Sequence, residues 1–263
     1  MKIRNSKVLL TGATGGIGQA IARELTTYGA QVLLTGRNSK ILERLASELN
    51  CEQIACDLSN EVQTKALLEK VGDVDIYIAN AGIPGAGSTL DLESSEIDNV
   101  IDVNLRVPIK SSTIISRSMI TRGAGHIVFI SSLSGLVASP TTMLYSATKF
   151  GLRGYALSLR QELAPKGVGV SVILPGFIRD AGMFAEARVD LPRGTRTKAP
   201  QDVSSAVMSA IENNIAEILV APIELRIGAK LGTVFPRLAE IAQNAGPARA
   251  MAERLRDAQR NVH

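Results

Sequence analysis

Tryptophan is absent from this chain of 263 residues, and Phe and Tyr together make up only a small share. That scarcity speaks against an aromatic-rich β-sandwich core. It also removes the stacking platforms a single-stranded nucleic-acid binder needs, since no basic run is interleaved with rings. The net charge of +4 is too small and too dispersed to build a nucleic-acid groove. Cys51 and Cys56 are the only cysteines, with no second pair or histidine cluster beside them, so neither a metal site nor a disulfide framework is expected. They read as reduced thiols of a cytoplasmic protein. No apolar stretch approaches the 18 residues of a membrane span. The start, Met1 to Leu10, resembles a secretory leader only until Gly12, Gly15, Gly16 and Gly18 break it, and no small-residue cleavage site follows. No Pro/Ser-rich or charged linker divides the chain, so residues 1–263 are expected to form one domain. What is plentiful is Gly, Ala, Ile, Leu and Val, the composition of a parallel sheet covered by helices.

Lys7 to Thr11 is a short apolar run, followed at once by Gly12-Ala-Thr-Gly-Gly-Ile-Gly18 and then by a stretch with Ile17, Ile21 and Leu25 at helical spacing. Strand, glycine turn and helix in that order let the backbone approach a pyrophosphate, whose charge the free N–H groups of a helix start favour. Gly12, Gly16 and Gly18, with Thr14 and Ile17 between them, are therefore cofactor candidates. The spacing is not G-x-G-x-x-G, and that fingerprint is not claimed. A second apolar run, Gln31 to Thr35, ends in Gly36-Arg37-Asn38. A carboxylate there would hold a ribose 2′-hydroxyl; the arginine instead suits a 2′-phosphate, which favours NADP(H) over NAD(H). Asp57, with Leu58 beside it, follows a third strand and could accept from an adenine amino group or cap the next helix. A fourth strand stops at Asn80-Ala81-Gly82, whose small residues leave room for a ligand across the strand ends.

Helical periodicity runs from Ser94 to Arg122, with Pro108 freeing the Asn104 carbonyl and predicting a kink. Gly125 to Ser132 is a fifth strand. Beyond it, Tyr145 and Lys149 stand at i and i+4, one helical turn apart, so the ammonium is expected to reach the phenol and lower its pKa. Ser132 can be brought to the same strand end, whereas Ser131 would point to the opposite face. Val170 to Leu174 is a sixth strand, ending in Pro175-Gly176 with Ile178 close behind.

These motifs, in this order from residue 7 to about 180, resemble the short-chain dehydrogenase/reductase family. The resemblance implies a doubly wound, Rossmann-like parallel sheet of seven strands with helices on both faces. It implies Tyr145 as the proton donor or acceptor, Lys149 as the cation beside it that also binds the nicotinamide ribose, and Ser132 on the reacting oxygen. Asn104 would hold a water linking Lys149 to solvent. Tyr145 and Lys149 thus join Asn80, Ala81, Gly82, Pro175, Gly176 and Ile178 in the cofactor set, Ile178 through its backbone. The family motif continues to a threonine where this chain has Asp180; a carboxylate beside pyrophosphate is unfavourable unless Arg179 offsets it.

Residues 181–200, with Met183 and Phe184 at the start and Arg188, Arg193, Arg196 and Lys198 later, are the expected substrate lid. Their apolar start suits an apolar carbonyl or alcohol. Asp202 is expected to cap a helix, and Glu217 to Val220 to form the seventh strand. The extension from 222 to 263 carries a stripe of Ile227, Leu231, Val234, Phe235, Leu238 and Ile241, expected to cover the protein's own core rather than to rest on a membrane. A homodimer or homotetramer paired through the helices of Asn104 and Tyr145 is the expected assembly. Two further functions remain open: a cofactor-binding sensor without turnover, against which four intact polar residues argue, and an isomerase or epimerase with transient redox.

Overall fold

The computed structural model describes residues 1–85, 92–181 and 196–244, together with 249 and 254. Seven strands, β1 (Lys7–Leu10), β2 (Gln31–Gly36), β3 (Glu52–Ala55), β4 (Ile76–Ala79), β5 (Gly125–Ile130), β6 (Val168–Pro175) and β7 (Glu217–Val220), lie in the order β3-β2-β1-β4-β5-β6-β7. Every pairing is parallel, with Val8 opposite Val32 on one side and Ile76 on the other. The order reverses direction between β1 and β4, the place where an open α/β sheet leaves a crevice at its carboxyl ends.

The strands read as unbroken apolar runs because both faces are covered. Val8 and Leu10 join Leu34, Ile78 and Val128 in one core, while Leu9 joins Tyr77, Ile127 and Phe129 in the other. Over the first core lie α1 (Gly16–Thr27), α2 (Ser39–Leu49) and α7 (Pro200–Asn213). Over the second lie α3 (Glu61–Val71), α5 (Val107–Arg122) and α6 (Met143–Leu163), with α4 (Ser94–Ile101) leading into α5. Each fully buried Leu, Ile or Val contributes about 1.5–3 kcal/mol.

Helix ends follow local chemistry. Asn38 caps α2 through the Ile41 N–H, and Asn60 caps α3 through the Gln63 N–H. Asp57 is thus not a helix cap; its Oδ1 accepts from the backbone and hydroxyl of Ser59 instead. Asp202 is the third residue inside α7 rather than its cap, reaching back to the Ala199 N–H at 2.7 Å. The kink expected at Pro108 takes the form of a π-helical turn over Asp102–Arg106, in which the Val107 N–H bonds to the Asp102 carbonyl. One extra residue in that turn absorbs the bond proline cannot make.

Of the expected lid, residues 182–195, including Met183, Phe184, Arg188 and Arg193, lie outside the described residues. Its two ends are laced together, with Arg179 N–H bonded to the Lys198 carbonyl and Lys198 N–H to that of Phe177. After β7 come α8 (Ile223–Val234) and α9 (Pro236–Asn244). Here an expectation fails: the apolar stripe of Ile227, Leu231, Val234, Phe235, Leu238 and Ile241 faces solvent. Helical spacing identifies a face but not the direction in which it points, and the smaller residues take the inner side.

Candidate active site

The site is built first from the turn after β1. Gly12 has φ of +65°, and a Cβ there would lie 2.7 Å from the Ala81 backbone; one on Gly18 would overlap the Gly12 carbonyl. Glycine is what allows β1, the turn and β4 to close on one another. The closure is laced by Thr11, whose hydroxyl accepts from the N–H groups of Asn80 at 3.1 Å and Ala81 at 3.2 Å. Asn80 in return donates to the carbonyls of Thr11 and Gly12, both at 3.0 Å. Its amide thus shapes the crevice. Thr11 opens the glycine motif in the sequence but was not among the candidate site residues, although a hydroxyl at the end of a buried strand was the available signal.

The crevice opens into a cavity of about 800 Å³ along the carboxyl ends of the strands. Gly12, Thr14, Gly16, Ile17, Gly18, Arg37, Asp57, Leu58 and Asn80 to Gly82 line one end; Ser132, Tyr145, Lys149, Pro175, Gly176 and Ile178 line the other. Asn104 alone of the predicted residues lies behind the wall. Asp180 is also off the cavity, exposed, with φ of +62° and its carboxylate 3.8 Å from Arg179 Nε. The feared clash of charges does not arise in this arrangement.

A dinucleotide fits these residues. The amino end of α1 has no side-chain cap and no acid in its first turn, whereas α2 and α3 are capped by asparagines. Its N–H groups and the positive end of its dipole are left for an anion. Arg37 is exposed at the rim just past β2, and among the described lining residues it and Lys149 are the cations.

At the other end α6 carries Tyr145 and Lys149. Ser131 fastens the helix to β5 by donating to the Lys149 carbonyl at 3.0 Å, while Ser132 is turned to the cavity and hydrogen-bonds Tyr145. Lys149 is only 2% exposed; its Nζ donates to the Ile130 carbonyl at 3.0 Å and lies 5.6 Å from the centre of the Tyr145 ring. The ammonium therefore meets the ring face rather than the hydroxyl. The lowered phenol pKa expected from the spacing is not found: burial pushes Tyr145 up to about 12, against the pull of the Ser132 bond, and burial pulls Lys149 down to about 8. Desolvation outweighs a charge that is aimed elsewhere.

Asn104 sits in the π turn, fully buried. Its Oδ1 accepts from the Ile83 N–H at 2.8 Å and its Nδ2 donates to the Ile83 carbonyl at 2.9 Å, with a longer contact to Thr148. It clamps the segment after β4. A Cβ on Gly82 would stand 3.4 Å from both Asn104 Oδ1 and Lys149 Nζ, so that glycine keeps the space beside the ammonium open.

Comparison with known proteins agrees with this geometry. The family profile described as short chain dehydrogenase matches residues 6–191. The chain belongs to the short-chain dehydrogenase family. Among curated relatives, ketoacyl reductase HetN of Nostoc is 34% identical over 222 residues, covering 81% of this chain and 77% of that protein. The 3-oxoacyl-(acyl-carrier-protein) reductase FabG of Rickettsia typhi is 35% identical, covering 80% of this chain and 90% of the relative. A metagenomic short-chain oxidoreductase solved in complex with NADP superposes with a TM-score of 0.72 at 31% identity, covering 84% of this chain and 99% of that one. The protein is thus a nicotinamide-dependent oxidoreductase of the short-chain dehydrogenase family, acting on C=O or CH–OH groups.

Proposed function

We propose that the enzyme uses NADP(H) to interconvert an apolar carbonyl compound and its alcohol, with reduction as the working direction. The observation that carries this reading is the joining, in one cavity, of Ser132, Tyr145 and Lys149 at one end and Arg37 at the other. Arg37 would fork onto a 2′-phosphate, with the uncapped start of α1 receiving the pyrophosphate. The bound nicotinamide supplies or accepts hydride at the substrate carbon. Ser132 and Tyr145 hold the substrate oxygen between two hydroxyls. Tyr145 gives that oxygen its proton in reduction and takes it back in oxidation. A phenol held at about 12 is a protonated donor throughout the neutral range, which suits reduction. Lys149, anchored to the Ile130 carbonyl with its ammonium over the Tyr145 ring rather than at the hydroxyl, would act by holding the nicotinamide ribose.

The substrate end is lined by Ile83, Val103, Leu133, Val137 and Phe177 on the body and by Gly228, Ala229 and Ala239 on the α8–α9 pair. An apolar group next to the carbonyl matches that wall. We place subunit pairing on α5 and α6, where Ile114 and Phe150 are exposed.

The test is a panel of aldehydes and ketones of graded size, followed by loss of NADPH absorbance. Turnover of the larger apolar ketones with NADPH, and slower turnover with NADH, is the expected outcome; a cofactor that binds and is never consumed would instead make the chain a sensor.

A further inference from the structure

The α8–α9 pair is built the opposite way round from every other helix that covers the sheet. Beneath it are Gly228, Ala229, Ala239 and Ala242, with Leu225 as the large apolar residue among them, all lining the catalytic cavity, and a Cβ on Gly232 would come 3.0 Å from Val137. Above it are the large side chains: Ile223 is 57% exposed, Leu231 53%, Val234 66% and Ile241 68%. Of the exposed large apolar residues described in the whole molecule, Ile223, Ile227, Leu231, Val234, Phe235, Leu238 and Ile241 are gathered on these two helices. A continuous apolar face of this kind on a folded protein marks an interaction surface.

The charges around it identify the occupant. Arg226, Lys230 and Arg237 flank the stripe, all exposed, and among the described residues none forms an ion pair; Glu240, also exposed, is the one acid set among them, so the flank stays net positive. The acid that opens α8, Glu224, is turned to Arg196 at 3.9 Å. A second copy seated on this face would set two patches of the same net positive charge against each other, because a twofold contact pairs a patch with itself. An anionic lipid surface meets both features at once, with apolar side chains entering the headgroup boundary and cations pairing with phosphates. No described helix is long and apolar enough to cross a membrane, so the contact would be one of lying on the surface.

We propose that α8 and α9 rest on an anionic bilayer, which sets the roof of the catalytic cavity against the lipid phase. The surface commits to lipid, and it goes beyond the carbonyl chemistry, which it neither requires nor tests.

The experiment is co-sedimentation of the full chain with vesicles of phosphatidylcholine alone and of phosphatidylcholine with phosphatidylglycerol. Binding to the anionic vesicles at 0.1 M salt, at least about tenfold stronger than to the neutral ones, is expected. Ile227→Glu/Leu231→Glu should lose that binding while keeping the melting temperature and the turnover of a water-soluble ketone, since neither residue touches the cavity. Wild-type protein that stays in the supernatant with both vesicles overturns the proposal. So does an oligomer that the double variant splits in sedimentation velocity without any vesicle binding by the parent, which would give the face to a second copy. Because the readout is sedimentation, a failed vesicle test leaves NADPH turnover intact, and a failed turnover test leaves vesicle binding intact.

Discussion

The strand ends and the α8–α9 roof enclose the same cavity by opposite arrangements of side chains. At the strand ends the large residues Leu10 and Ile78 are packed away, and glycines bring backbone to the cavity. In the roof, small residues together with Leu225 face the cavity, but the other large apolar ones are left outside. Shape at the strand ends is therefore fixed by the core itself. Shape at the roof depends on two helices held by few contacts, so the first region is suited to a constant ligand and the second to a variable one.

Four changes would sharpen or break that contrast. Gly12→Val places a side chain into the Ala81 backbone at a positive φ, and should destabilise the fold by about 2–4 kcal/mol and abolish NADPH binding; urea melts and cofactor titration check it, and near-normal values would mean the turn is slack. Lys149 offers a second, thermodynamic test. Its folded pKa of about 8 lies below the usual 10.5, so the unfolded chain binds more protons between those values. Stability should therefore rise with pH from about 8 to 10.5, by at most about 1.4 kcal/mol per unit, the burial penalty being fully present below 8. Above pH 10 the raised Tyr145 pKa works the other way. The rise should vanish in Lys149→Met, measured by urea unfolding across the range.

Arg37→Asp comes third, raising the NADPH dissociation constant about 10–100-fold with NADH little changed. An equal loss for both cofactors would remove the 2′-phosphate from the account. The smallest effect belongs to the roof. A Cβ on Gly228 meets nothing within 4 Å, so Gly228→Phe should fold, bind NADPH normally and raise KM for bulky ketones about tenfold while sparing small ones. Equal effects on all substrates would show that the roof does not select by size.

The same contrast explains what the sequence made legible. The runs at Val8, Ile76 and Ile127 are buried on both faces, so their apolar character states their position without ambiguity. The glycine turn and the Tyr145–Lys149 pair are local, and local spacing survives folding. Three features were not local. The Ile130 carbonyl that takes the Lys149 ammonium comes from another strand, and so redirected a charge the spacing had aimed at the hydroxyl. Asn104 was expected near a proline kink, and only the π turn shows its amide closing on Ile83. The stripe on α8 and α9 announced an amphipathic helix, but periodicity does not say whether the apolar side meets the protein or its surroundings.

The central claim is that the proton moves through Tyr145, and it is tested most directly by comparing NADPH binding and ketone turnover in Tyr145→Phe. The account predicts an unchanged dissociation constant for NADPH and a kcat lower by about 10²–10⁴-fold. A variant that turns over at close to the parent rate would contradict it.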